Sequence, residues 1–271
     1  MWINKGLCKL CLIYSRVKDL INFGKEDEIP NMLRKLAEIT EDYHSRTLSF
    51  VEAFEYVKKI VGVPDPYYKL KLELKAIGRS LVTEVERYLS SVNWDMREAL
   101  RISAAANILD TSVLGFEPKD LREAIWDKPA IEESINIPRD STIYLVLDNA
   151  GEAEIDMLLA KTLKMHGYRV VIAVRRNSYE IDVTRDDIDR EFEILETPSS
   201  ISPIMYLDGG FIIAKGIANA EAYIEFGKQP SIHLLRAKCD VIANLFNVKK
   251  NSILIVSGDT IKNKFRQYNG L

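Results

Sequence analysis

Residues 142–167 read TIYLVLDNAGEAEIDMLLAKTLKMHG, and two different periods meet inside this stretch. IYLVLD, at 143–148, is a continuous apolar run of strand length that ends on an aspartate. A strand that is apolar on both sides is one covered on both faces. After Asn149 the spacing changes: Ile155, Leu158, Leu159 and Leu163 share one helical face, and Gly167 closes the segment. The same pattern recurs downstream. RVVIAV (169–174), EFEIL (191–195), FIIAKG (211–216), SIHLLRAK (231–238) and SILIVSG (252–258) are further strand-length runs. Helical segments fall between several of them, among them ANAEAYIEFG (218–227) and CDVIANLFNV (239–248). Apolar strands alternating with helices specify a three-layer α/β/α, Rossmann-like domain with a mainly parallel sheet.

Upstream the reading is all helix. Leu33, Leu36 and Ala37, then Val51, Phe54, Val57 and Val61, repeat near 3.6 residues, and Gly62 with Pro64 and Pro66 ends that run. KLKLELKAIGRSLVTEVERYLSS (69–91) is a further helix. WDMREALRISAAANILDTSVLG (94–115) reads as another, rich in small residues after Ile102. In that helix Asn107 and Asp110 fall one turn apart on one face, looking either into a cleft or into a polar helix crossing. The expected organisation is an N-terminal all-helical domain, residues 1–138, and a Rossmann-like domain, residues 139–271.

Composition excludes several classes. Apolar residues make up 47%, enough for a real core. Lys and Arg number 37 against 40 Asp and Glu, a net charge of −3. A chain so balanced has no electrostatic case for nucleic-acid or anionic-membrane binding. No apolar run approaches the roughly 20 residues of a membrane span. MWINKGLCKLCLIYSRVKDL at the start mixes charge into a short apolar stretch and reads as an amphipathic helix, not a signal peptide. Three cysteines, an odd and low number, point to a reducing, cytoplasmic setting. Cys8-x-x-Cys11 has no second C-x-x-C and no H-x₃₋₅-H to close a zinc site, which leaves packing, redox sensitivity and metal binding open. Oligomeric state is left open.

In an open α/β sheet, ligands bind beyond the carboxyl ends of the strands. Those ends carry Asp148, Asn149 and Glu152; Asp182; Lys215 and Asn219; and Lys238. Each has an ordinary alternative. Asp148 and Asn149 suit a helix cap, Asp182 a solvated loop before a capping box from Thr184 to Asp187, and the lysines a surface. One glycine, Gly151, stands in the first strand–helix turn where a dinucleotide fingerprint needs three, and no G-x-x-x-x-G-K-[ST] exists. Carboxylate and amide oxygens beside lysines are equipment for a hard divalent cation and a phosphate.

These residues resemble the damage-control phosphatases, the family once called domain of unknown function 89. Asp148-Asn149-Ala150-Gly151-Glu152 matches its D-N-A-G-E signature. Asp65-Pro66-Tyr67 with Lys71 is similar to its D-P-Y segment, Ala106-Asn107-x-x-Asp110 to A/G-N-x-x-D, and Asp182-Val183-Thr184 to D-x-T. Lys215-Gly216-Ile217-Ala218-Asn219-Ala220-Glu221 resembles K-G-x-x-N-x-E, and Lys238-Cys239 the K-C pair. Cys8-x-x-Cys11 is similar to the pair in the small, largely prokaryotic branch. The chain departs at Tyr14-Ser15, where that branch often has Arg-Gln, and at Glu180-Ile181, where Asn is common.

The resemblance implies a metal-dependent phosphatase acting on a small phosphorylated metabolite, such as a sugar phosphate or a damaged phosphometabolite. It implies a divalent ion, Mn²⁺, Co²⁺, Ni²⁺ or Mg²⁺, held by Asp148, Asn149 and Asp182. On this reading Asp148 or Asp182 attacks phosphorus or orients water. Lys238, with Lys215 or Asn219, neutralises the phosphoryl oxygens. Asn107 and Asp110 read hydroxyl groups, and Glu152 orients a water or binds a hydroxyl. The alternative is a non-catalytic metabolite- or nucleotide-binding Rossmann-like protein.

Overall fold

Seven strands form one sheet in a computed structural model of the chain. The structure describes residues 2–41, 45–108, 113–117, 119–134, 136–188 and 191–270. The strands are β1 (Ile131–Glu132), β2 (Ile143–Val146), β3 (Val170–Arg175), β4 (Glu193–Thr197), β5 (Phe211–Lys215), β6 (Ser231–Arg236) and β7 (Ile253–Ser257), in the order β1-β7-β6-β5-β2-β3-β4. All pairs are parallel except β6–β7. The chain runs outward from β2 through β3 to β4, then returns to lay β5 on the other side of β2. The strand order therefore reverses between β2 and β5, which is where an open sheet leaves a crevice at its carboxyl edge. Ile143 pairs with Val170 on one flank and Phe211 on the other, so the three strands start level.

Ten helices surround the sheet among the described residues: α1 (Lys5–Asn22), α2 (Ile29–Glu41), α3 (Arg46–Val61), α4 (Tyr68–Ser91), α5 (Met96–Ala105), α6 (Leu121–Ala124), α7 (Ala150–Met165), α8 (Gly216–Phe226), α9 (Asp240–Phe246) and α10 (Gly258–Tyr268). Alternate strand residues point to opposite faces, as a period of two requires, and pack into three apolar clusters. Ile143, Leu145, Phe211, Ile213, Ile232 and Leu234 pack with Leu81, Val85 and Ile102 of α4 and α5 and with Ile155 and Leu159 of α7. Leu235, Leu254 and Val256 pack with Leu12, Phe54, Ile242 and Ile261 from α1, α3, α9 and α10. Two helices of the first cluster, α4 and α7, close tightly at one point. A Cβ on Gly78 of α4 would lie 2.0 Å from the carbonyl oxygen of Gly151 in α7, so only glycine allows this crossing.

The strand runs and the α/β/α layering agree with the sequence reading, and Gly62 caps α3 in the left-handed conformation. Three points differ. β7 runs antiparallel to β6, and the short β1 joins it from the N-terminal part of the chain. The expected boundary at 138–139 falls between no two separate cores, because α4 and α5 share theirs with the sheet. The expected helix over 94–115 stops at Ala105. The reason is chemical: Lys215 donates to the carbonyl of Ser103, and Arg236 donates to that of Ala105 at 2.9 Å. Two buried cations thus occupy carbonyls of the last helical turn. Asn107 consequently lies in the turn after the helix and not on its face. Asp110 lies outside the described residues.

Candidate active site

The β2–α7 turn and the loop after β3 are joined backbone to backbone. Val183 N donates to Asp148 O at 2.8 Å, Ala150 N donates to Ile181 O at 2.9 Å, and Asn149 bridges Asp182. This pairing brings Asp148, Asn149 and Asp182 to one place at the carboxyl edge, each at most 6% exposed. Asp148 also lies against Gly216 at the start of α8. A Cβ there would meet its Oδ2 at 1.8 Å, and Gly216 has φ +77°. Asp182 accepts from Arg175 Nε at 2.5 Å, and the other end of that guanidinium donates to Ser200 O at 2.6 Å.

Behind these side chains is a fully buried polar network. Asn107 Nδ2 donates to Asp148 Oδ2 at 3.0 Å and to Glu152 Oε2 at 2.9 Å. Asn149 Nδ2 donates to Glu152 Oε1 at 2.7 Å, so the atom it offers a cation is its amide oxygen. Lys215 Nζ lies 3.0 Å from Asp156 Oδ1 and 3.5 Å from Glu152 Oε2, besides the Ser103 carbonyl. An ammonium has three N–H bonds, and these acceptors engage all of them. Asn219 is likewise engaged: it donates to Leu147 O at 3.0 Å and Lys215 O at 2.8 Å, and accepts from Ser202 Oγ at 2.6 Å. It ties the ends of β2 and β5 together. Burial pushes the Glu152 carboxyl up, and Lys215 and then Lys238 oppose that. Burial also raises Asp156, against Lys215. Lys238 is 2% exposed, with Nζ 5.5 Å from the Phe116 ring centre.

In front of the acids is a cavity of about 100 Å³, bounded by Asp148, Asn149, Asp182, Arg46, Glu221, Cys11 and Cys239 among others. Cys11 on α1 and Cys239 before α9 are far apart in sequence yet share this wall, while Cys8 is buried in the core beside it. Burial raises the Cys11 thiol and pushes Cys239 up to about 12. Both are therefore weak nucleophiles. Burial raises Glu221 to about 7 against the pull of Arg46. A larger cleft of about 790 Å³ lies behind the Asp182 loop. There Lys71 bridges Asp65 at 3.2 Å and Asp187 at 2.7 Å, and none of Asp148, Asn149 or Asp182 lines it. We take the smaller cavity as the site because it holds the convergent acids.

The structure therefore gathers Asp148, Asn149 and Asp182 at the cavity, with Asn107 and Glu152 directly behind them. Lys215, Asn219 and Lys238 lie off its wall. Arg175 was not among the candidates, although it too follows an apolar strand and the strand-end rule would have found it. Arg46, at the start of a distant helix, carried no such signal. Among the described residues no three His, Cys, Asp or Glu side chains group to hold a metal, so the donor set depends on the Asn149 amide. No described helix is long and apolar enough to cross a membrane.

Residues 7–209 match the damage-control phosphatase ARMT1-like domain. The chain is 27% identical over 245 residues to a damage-control phosphatase of Pyrococcus horikoshii, covering 81% of each. It is 26% identical over 270 residues to a damage-control phosphatase of Archaeoglobus fulgidus, covering 88% of this chain and 93% of the relative. Its backbone is similar to the crystal structure of a DUF89 family protein from Pyrococcus horikoshii, with a TM-score of 0.76 at 22% identity, covering 93% of this chain and 97% of that one. At that identity the structural likeness speaks for the fold.

Proposed function

The chain belongs to the damage-control phosphatase ARMT1-like family, and on that premise we propose that it is a metal-dependent phosphomonoesterase for small phosphorylated metabolites. The observation that supports this most is the convergence of two buried carboxylates and an amide at the point where the strand order reverses. The donors fit a divalent ion such as Mn²⁺, Co²⁺, Ni²⁺ or Mg²⁺, because all three residues offer oxygens. Asp148, Asn149 and Asp182 would hold it. When bound, such an ion supplies Lewis-acid stabilisation to phosphoryl oxygens.

The protein's own residues divide the remaining work. Arg175 pins Asp182 as an anchor by a short charge-assisted bond. Asp148 is held by the Asn107 amide, and we assign it the acid that acts on the phosphoryl group or on the attacking water. Glu152 orients the two asparagines and does not contact substrate. Lys238 supplies positive charge to the phosphate, whereas Lys215 is the counter-ion of Glu152 and Asp156.

The test is hydrolysis of a simple aryl phosphate by chelator-stripped protein, before and after each of the four ions is returned. Activity should appear only with metal and vanish in Asp148→Ala and Asp182→Ala, each still folded by circular dichroism. Full turnover in excess chelator would refute the proposal.

A further inference from the structure

The loop that carries Asp182 contains a backbone conformation that its own sequence does not favour. Tyr179, Glu180, Ile181 and Asp182 form a tight turn, closed by Asp182 N donating to Tyr179 O at 2.9 Å. Glu180 occupies its second position with φ +48°. Glutamate lacks the short side chain that lets Asn or Asp settle there, and it carries the Cβ that glycine avoids. Such a conformation persists only where the surroundings over-determine it.

The surroundings here come from the other end of the chain. Arg16 of α1 is wholly buried and ion-pairs through its guanidinium with the Glu180 carboxylate. Its Nε lies 3.2 Å from Asp19 Oδ2, and the guanidinium carbon sits 5.1 Å from the centre of the Phe54 ring. Asp19 in turn accepts from the Tyr67 hydroxyl at 2.5 Å. Burial pulls the Arg16 pKa down, but Asp19 and Glu180 outweigh it and keep the group charged. A charged, buried and stacked guanidinium cannot follow Glu180 if the turn relaxes. Tyr67, Asp19, Arg16 and Glu180 thus form a chain of contacts from the helical layer to the turn two residues before Asp182. Lys71, close in sequence to Tyr67, grips the same loop from its far side through Asp187.

We propose that Arg16 is a positioning residue: by clamping the Glu180 side chain it holds the turn in its left-handed conformation and thereby fixes the Asp182 carboxylate at the cavity. This rests on the reading of Asp182 as a metal anchor. It assigns the N-terminal helix a part in the site and gives Glu180, which also lines the cavity, a role other than ligand.

The discriminating pair is Glu180→Ala and Glu180→Gly, with Mn²⁺ affinity read from the electron paramagnetic resonance of the free ion. Alanine loses the clamp and keeps the unfavourable φ; glycine loses both. Alanine should weaken Mn²⁺ binding about tenfold, in line with the cost of one non-glycine residue in this conformation. Glycine should stay within about threefold of wild type. Arg16→Met in the Glu180→Gly background, made together with Asp19→Asn so that no buried carboxylate is left without its cation, should add little. Equal losses in Ala and Gly would make the carboxylate itself the needed group and overturn the proposal. No loss in either would overturn it as well. Trypsin cleavage at exposed Arg185 in metal-free protein provides a second reading, fastest for Glu180→Ala. If wild type bound no Mn²⁺, the metal assignment would fall, and the cleavage order alone would judge the clamp.

Discussion

Replacing Gly216 by alanine separates the geometry of the site from the stability of the fold. Gly216 has φ +77°, and a Cβ there would sit 1.8 Å from Asp148 Oδ2 and 2.3 Å from its carboxyl carbon. The unfavourable φ alone costs about 1–2 kcal/mol. Ordinary contact needs about 3.4 Å, so the carboxylate must retreat by about 1.6 Å. Metal–oxygen distances tolerate only about 0.2 Å. The displaced acid would cease to be a ligand, and we expect at least a 100-fold loss of Mn²⁺ affinity, about 2.7 kcal/mol. Gly167 is the control. It has φ +83° with no atom within 4 Å of its Cβ position, so Gly167→Ala carries the backbone cost and nothing else. Urea unfolding should show both variants destabilised, while calorimetric titration with Mn²⁺ should show only Gly216→Ala impaired. A Gly216→Ala protein that binds Mn²⁺ as tightly as Gly167→Ala would refute the placement of the metal at Asp148.

The two lysines should separate in the same way: Lys215→Met strands two fully buried carboxylates and should lose about 3–5 kcal/mol in urea unfolding. Lys238→Ala should instead lose roughly 10²–10³ in kcat on an aryl phosphate, with a smaller loss of stability than Lys215→Met because Lys238 ranks behind Lys215 in opposing the burial of Glu152. Gly78→Ala drives a methyl into the Gly151 carbonyl and should cost about 1–3 kcal/mol in thermal unfolding by prising α4 from α7. Burial depresses His233 to about 3, with Lys262 adding to the effect, so below about pH 6.5 the unfolded chain takes up a proton that the folded one refuses. Stability attributable to His233 is therefore present above pH 6.5 and lost as pH falls towards 3, by about 2 kcal/mol at pH 5. His233→Gln should remove that part of the slope when unfolding is measured at pH 7 and pH 5.

Much of the architecture was legible locally. The apolar runs from 143 to 257 became β2 to β7, because burial on both faces leaves a mark in every residue of a strand, the half-exposed edge strand β4 excepted. Gly62 and the Thr184–Asp187 capping box could be read because turn and cap chemistry is contained within a few residues. The acids at the site were legible for a related reason: a polar residue at the end of an apolar strand is placed by that strand at the carboxyl edge. The short β1 was not legible, since two residues have no period.

What only the tertiary structure decided was the partner of each charge. Lys215 and Lys238 look alike in sequence, each a lysine ending an apolar run. Lys215 turns out to be spent on Asp156, Glu152 and the carbonyl of Ser103, 112 residues away. The same contact helps end α5, so the Asn107 amide lies after the helix, where it holds Asp148 and Glu152 together. Arg16 meets Glu180 across 164 residues of chain, and Cys11 meets Cys239 across the cavity. Periodicity records whether a residue is buried, because burial repeats with the backbone. It holds no record of which group a buried charge faces, because that depends on how elements remote in sequence come to rest against one another. The sequence by itself determined the sheet, its layers and the acids at its edge; the tertiary packing determined which cations they met, Arg175 for Asp182 and Lys215 for Glu152.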